Sequence, residues 1–105
     1  DCLTMIETVQ RKRIEILADT PLLPRVIAIM REVGISGWSL IRVDAGEGRG
    51  GAWQHDELTG AAAKTIVIAI ASAEKAAAMT ERIAPLLDSH RLLLTIGDVA
   101  VVRGE

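Results

Sequence analysis

Four glycines surround one arginine in a stretch of six residues: Gly46, Gly48, Arg49, Gly50 and Gly51, with Glu47 between the first two. Glycine has no Cβ, so its backbone reaches φ > 0 and can lie close to a ligand. Successive backbone N–H groups in such a run form a concave anion site. A guanidinium in the same run suits phosphate or carboxylate, which it grips through paired donors. The chemistry in view is therefore anion binding. The same residues also make an ordinary flexible loop with a solvated arginine, and residue types alone leave both readings open.

The segment continues through Trp53, Gln54, His55, Asp56 and Glu57 to Gly60. Tryptophan anchors protein interfaces, which makes Trp53, with Gln54 and His55 beside it, a candidate contact for a partner. Packing of Trp53 against the body is the competing reading. Three adjacent loop residues rarely converge on one metal ion, and the second histidine, His90, is distant in sequence, so no metal centre is expected. No two carboxylates sit together on an apolar face, so a general acid/base pair is not expected either. His90 and Glu47 are isolated titratable groups.

The chain that must position these residues has 105 residues, enough for one domain. Half of it is hydrophobic, with no Phe or Tyr, so Ala, Ile, Leu and Val must build the core. A formal net charge of -2 gives no basic footprint for a nucleic acid. With Trp38 and Trp53 as its only aromatics, the chain also lacks a platform for base stacking. Cys2 is the single cysteine, which excludes an internal disulfide framework or a zinc cluster and fits a cytoplasmic protein. No apolar run is long enough for a membrane-spanning helix. The start at Asp1 suggests that a natural N-terminus is missing.

Periodicity supplies the elements. Residues 1–10 read as a loosely specified leader. Arg11–Asp19 alternates charged and apolar residues and predicts a strand. Pro24 marks the first turn of a helix whose inner face is Leu23, Val26, Ile27, Met30 and Val33, with Gly34 as its stop. Gly37–Asp44 is a second strand, and Lys64–Ser72 a third, apolar on both faces. Ser72 caps a second helix with Glu74 in its first turn. Ala76, Met79, Thr80, Ile83 and Leu87 form that helix's inner face, and Pro85 is expected to kink or end it. Arg91–Ile96 and Val99–Arg103 read as strands split by Gly97-Asp98. The order βαββαβ predicts an α+β, ferredoxin-like sandwich over 11–105. Its second and third strands are antiparallel neighbours that a short hairpin would join, so the insert over 45–61 must project. Helices cover one sheet face only. The apolar third strand therefore predicts that the other face is buried against another copy.

Several short runs, in order and spacing, resemble the PII and PII-like signalling proteins. Gly34-Ile35-Ser36-Gly37-Trp38-Ser39 resembles that family's GI-x-G turn before strand two. Gly46-Glu47-Gly48-Arg49 resembles the GFGR-like run that opens its long T-loop. Ile68-Ala69-Ile70-Ala71 resembles its VAIA strand. The tail from Val99 to Glu105 is similar to its V-x-x-x-R ending followed by GE. The resemblance implies a homotrimer with nucleotide clefts between subunits and a T-loop, here 45–61, that docks on a transporter, enzyme or regulator. It places Gly46, Gly48, Arg49 and Arg103 at phosphate, Ser39 at the adenine or ribose, and Arg91 in place of a missing basic loop residue. The alternatives are an ordinary strand serine at Ser39 and solvated arginines at Arg91 and Arg103.

Two departures refine the expectation. The chain has no tyrosine, so T-loop uridylylation is ruled out. Between Leu87 and Leu92 stands Asp88-Ser89-His90-Arg91 where the family carries a TGKIGDGK-like B-loop. ADP or AMP is therefore expected ahead of ATP, with bicarbonate as a companion anion. That pattern resembles the PII-like branch, some of whose members accompany bicarbonate transporters or carboxysomes. The enzyme alternative is a small trimeric isomerase or mutase with its active site at the subunit boundary. A metal-tolerance protein of similar trimeric fold is disfavoured by the poor ligand set.

Overall fold

The computed structural model describes residues 6–48, 51–54 and 63–104. Strand β1 (Ile6–Asp19) leads through a 3-10 turn (Thr20–Leu22) into helix α1 (Leu23–Glu32). Strands β2 (Ser39–Val43), β3 (Ala45–Gly48), β4 (Gly51–Gln54) and β5 (Lys64–Ala71) follow, then helix α2 (Ala73–Ser89) and strand β6 (Leu93–Gly104). Four strands form one sheet in the order β2-β5-β1-β6, with every neighbouring pair antiparallel. Strands β3 and β4 pair only with each other. With that ribbon set apart, the sheet and two helices are the ferredoxin-like α+β fold expected from the element order.

Alternation along the strands decides which side chains meet the helices. Ile14, Ile16 and Ala18 of β1 and Val67, Ala69 and Ala71 of β5 are buried. They share one core with Leu23, Val26 and Met30 of α1 and with Ala76, Met79, Ile83 and Leu86 of α2. Ile27, Val33, Thr80 and Leu87 are half-buried, so the inner face of α2 turns toward Leu86 rather than Leu87.

Both helices carry their stop signals. After α1, the Ile35 N–H donates to the Met30 carbonyl at 2.9 Å and the Gly34 N–H to the Arg31 carbonyl at 3.1 Å. This is the Schellman pattern, with Gly34 at φ +87°. The Ser72 hydroxyl accepts from the Lys75 N–H at 3.2 Å and caps α2.

Three expectations are corrected. Pro85 does not end α2 at that point; the helix runs to Ser89. Pro85 is on the exposed side, where the carbonyl it leaves unpaired faces water, while Met79, Ile83 and Leu86 hold the opposite side in the core. The last two strands are one continuous strand. Asp98 ion-pairs across the ladder with Lys12, and nothing lies within 4 Å of where a Cβ on Gly97 would stand. Finally, the leader does not extend to Gln10. Ile6–Gln10 belongs to β1 and pairs in register with Ala100–Gly104. The β-branched Ile6, Thr8 and Val9 are the signal for that strand.

The face away from the helices is apolar. Ile41 of β2, Ile66, Ile68 and Ile70 of β5, and Leu17 and Leu93 share it through the ladder registers. Ile41 is 47%, Ile70 45% and Leu93 57% exposed. Exposed aliphatic side chains contiguous on one face mark an interaction surface.

Candidate functional site

The glycine-rich insert is not a structureless loop at its start. One residue, Asp44, separates β2 from β3, and β3 pairs antiparallel with β4. Gly46 stands opposite Trp53, and Gly48 opposite Gly51. The insert therefore leaves the sheet as a narrow two-stranded ribbon. Composition hid this, because glycine is depleted in strands. The available signal was a two-residue hairpin spacing, Arg49-Gly50, flanked by glycines. Arg49 and His55 lie outside the described residues, and Trp53 and Gln54 are placed as members of β4.

The returning stem of the insert is fastened to the end of β1. The Thr20 N–H donates to the Ala63 carbonyl at 3.0 Å. The hydroxyls of Thr20 and Thr65 meet at 2.9 Å, and Lys64 Nζ reaches Asp19 Oδ1 at 2.5 Å. Thr65 is 4% exposed, a buried hydroxyl whose partner satisfies it. Sequence reading did not identify this latch, since each residue is an unremarkable polar side chain until β1 and β5 are paired. Val43 stands opposite Lys64, so both stems leave from the same end of the sheet.

Arg91 lies at that end too. It precedes β6, whose first residue Leu93 pairs with Leu17 near the end of β1. Arg91 has φ 51°, in the left-handed region that non-glycine residues seldom occupy. The Leu92 N–H donates to the Leu87 carbonyl at 3.0 Å, closing α2 with Arg91 in the place usually held by glycine. Only residues 90–92 separate α2 from β6, a tight turn rather than an open phosphate-binding loop. Ser39 opens β2 on the sheet's edge, exposed and opposite Ile68.

Arg103 lies elsewhere. It is exposed on β6 and pairs in register with Glu7. Glu7 and Asp19 are twelve positions apart on β1. At a rise of about 3.3 Å per residue they are separated by roughly 40 Å. Within one chain, the structure brings Arg91, Gly46 and Gly48 toward one end of the sheet and sends Arg103 to the other. A pocket uniting the insert's base with Arg103 requires two protomers.

Among the described residues no acid/base constellation accompanies these groups. His90 Nδ1 lies 2.8 Å from the Ser89 hydroxyl, which also lies 3.0 Å from the Pro85 carbonyl as its acceptor. The pair sits at an open helix end. Among the described residues no three His, Cys, Asp or Glu side chains gather as a metal site. No helix among them is long and apolar enough to cross a membrane.

Comparison of the whole chain with solved structures gives the fold relatives. CPII of Thiomonas intermedia K12, a nitrogen regulatory PII-like protein bound to ADP, AMP and bicarbonate, superposes with a TM-score of 0.84 at 19% identity. That match covers 92% of each chain. The apo form of the same protein gives 0.75 at 18% identity over 93% of this chain and 98% of that one. The GlnK–ATP complex of B. subtilis gives 0.61 at 11% identity over 86% and 82%. No curated protein matches the sequence. The family model for nitrogen regulatory protein P-II matches residues 11–105. That span holds both helices, five of the six strands whole and most of β1, and the chain belongs to the P-II family of nitrogen regulatory proteins.

Proposed function

We propose that this chain is a non-catalytic signalling protein. It assembles as a homotrimer through the apolar sheet face and binds an adenine nucleotide in the clefts between subunits. The observation that carries the reading is the separation of Arg103 from the base of the insert. Both bear the chemistry of phosphate recognition; Arg103 lies at one end of the four-stranded sheet, and the insert leaves from the other end. A neighbour's Arg103 meeting the Gly46–Arg49 run resolves that separation and makes occupancy depend on assembly.

The ligand class follows from what the turn after α2 offers. Three residues, with Arg91 at their centre, supply a single guanidinium and no glycine cradle. That favours ADP or AMP over ATP. CPII, which shares the fold, is described with ADP, AMP and bicarbonate. A bicarbonate companion fits a site built from arginines and backbone N–H groups. Ser39 contacts the adenine or ribose in this reading. Occupancy shifts the 45–61 T-loop only as far as the ligand prefers one loop state over another. Trp53, Gln54 and His55 then meet the target, a transporter or enzyme of inorganic-carbon or nitrogen metabolism, in the cytoplasm and in association with carboxysomes or bicarbonate transport.

Calorimetric titration with ATP, ADP, AMP and cyclic AMP, each with and without bicarbonate, tests the reading. Sub-millimolar binding of ADP or AMP is expected, with ATP weaker. Failure of every adenine nucleotide to bind would sink it. The runner-up, a trimeric isomerase or mutase, calls for a positioned acid or base, and the open Ser89–His90 pair is the nearest approach to one among the described residues.

A further inference from the structure

The five residues that begin β1, Ile6–Gln10, precede the span matched by the family model and still form a regular part of the sheet. They pair residue by residue with Ala100–Gly104 at the end of β6. In that ladder Glu7 stands directly opposite Arg103. Directly opposed residues project from the same face of a sheet with their Cβ atoms about 5 Å apart. Both side chains are exposed, and neither is committed to an ion pair elsewhere among the described residues. The extension thus sets one carboxylate beside the guanidinium that the proposed reading assigns to phosphate.

We propose that Glu7 is a specificity-determining residue that shares Arg103 with the nucleotide and disfavours ligands in proportion to their phosphate charge. The inference rests on the nucleotide reading above. A phosphate drawn to Arg103 must compete with the carboxylate for the same donors. It must also approach that carboxylate, a like charge, at a few ångströms. Repulsion between fixed charges grows with the charge brought in. Triphosphate is penalised most and monophosphate least. The chain therefore selects for short phosphates with two separate devices: the tight turn at Arg91, and the acidic residue opposite Arg103.

The test is calorimetric titration of the full chain, wild type and Glu7→Gln, with AMP, ADP and ATP at one ionic strength. Glu7→Gln is expected to tighten binding by about twofold for AMP and about fivefold for ATP, with ADP between, the scale of an exposed charge pair. Glu7→Arg should steepen that gradient, and raised salt should flatten it. Thermal melts of the variants check that this exposed position leaves the fold intact. Wild-type binding with Glu7→Gln unchanged for all three nucleotides overturns the inference and leaves the nucleotide reading standing. Equal tightening for all three also overturns it, because charge would then play no part. A wild-type chain that binds none of the three sinks the nucleotide reading and this inference together.

Discussion

Arg91 holds at the end of α2 the backbone position that Gly34 holds at the end of α1. Each follows its helix's last half-turn residue, Val33 or His90, and each has positive φ, 87° for Gly34 and 51° for Arg91. Each is followed by an apolar residue whose N–H returns to a carbonyl five positions back, Ile35 to Met30 and Leu92 to Leu87. Ile35 and Leu92 are both buried, so each motif turns the chain back into the core. Glycine meets this demand without a steric penalty; arginine does not.

Arg91→Gly is therefore expected to stabilise the chain by about 0.5–1 kcal/mol, the cost of a non-glycine residue in the left-handed region less glycine's extra freedom when unfolded. Gly34→Ala should cost about 1 kcal/mol. The space for a Cβ there is ordinary, with Lys75 Cε 3.4 Å away, so the loss is backbone strain and not collision. Urea denaturation of both variants checks the opposite signs. If Arg91→Gly also weakens ADP binding, the strain is retained for the side chain it positions.

Ile41→Glu is expected to convert the proposed trimer into a folded monomer. Ile41 lies on the sheet face opposite the helices and takes no part in the core. Burying a carboxylate among Ile66, Ile68 and Leu17 at a subunit contact costs far more than exposing it on a free chain. Light scattering coupled to gel filtration, with a far-ultraviolet spectrum, reads both parts. An unchanged trimer would remove this face from the interface.

The sheet order and both helices were legible because β1 alternates, β5 is a nearly continuous apolar run and the helices repeat their apolar residues at helical spacing. Gly34 stopped α1 where its type required. What escaped were features that exist only after strands pair. The latch of Asp19, Thr20, Lys64 and Thr65 joins residues about 45 positions apart. The β3–β4 ribbon sits in composition that argues for a loop, and Ile6–Gln10 becomes a strand because β6 runs past Gly97 to pair with it. Of the candidate site, the residue types at Gly46, Gly48 and Arg103 were legible; their separation across the sheet was not, since it depends on register.

Thr65→Val tests the latch. The substitution keeps the shape and removes the hydroxyl, leaving Thr20 Oγ1 half-buried without its 2.9 Å partner. A loss of about 1 kcal/mol is expected, with Thr65→Ser near wild type. Because Thr20 also binds the Ala63 carbonyl, proteolysis within 55–62 should quicken in Thr65→Val relative to Thr65→Ser. Equal cleavage rates would confine the latch to a stability role.

The separation of Arg103 from the insert's base gives a sharper prediction than loss of binding alone. Arg103→Ala should weaken ADP by about 1.5–3 kcal/mol, the range for a lost charge-assisted bond, and Arg49→Ala should weaken it comparably. Neither result says whether the two arginines serve one pocket in one chain or one pocket between two chains. Mixing does. If the two variants are unfolded together and refolded as mixed trimers, a cleft that takes its insert from an Arg103→Ala subunit and its β6 from an Arg49→Ala subunit contains both arginines. Random assembly around a ring makes about one quarter of the clefts of this kind. Titration should then recover about a quarter of the wild-type sites at wild-type affinity, while either variant refolded alone recovers none. Neither variant chain carries both arginines, so a single-chain pocket admits no recovery, and a mixture that stays as weak as its components would refute the inter-subunit site even if both arginines prove essential.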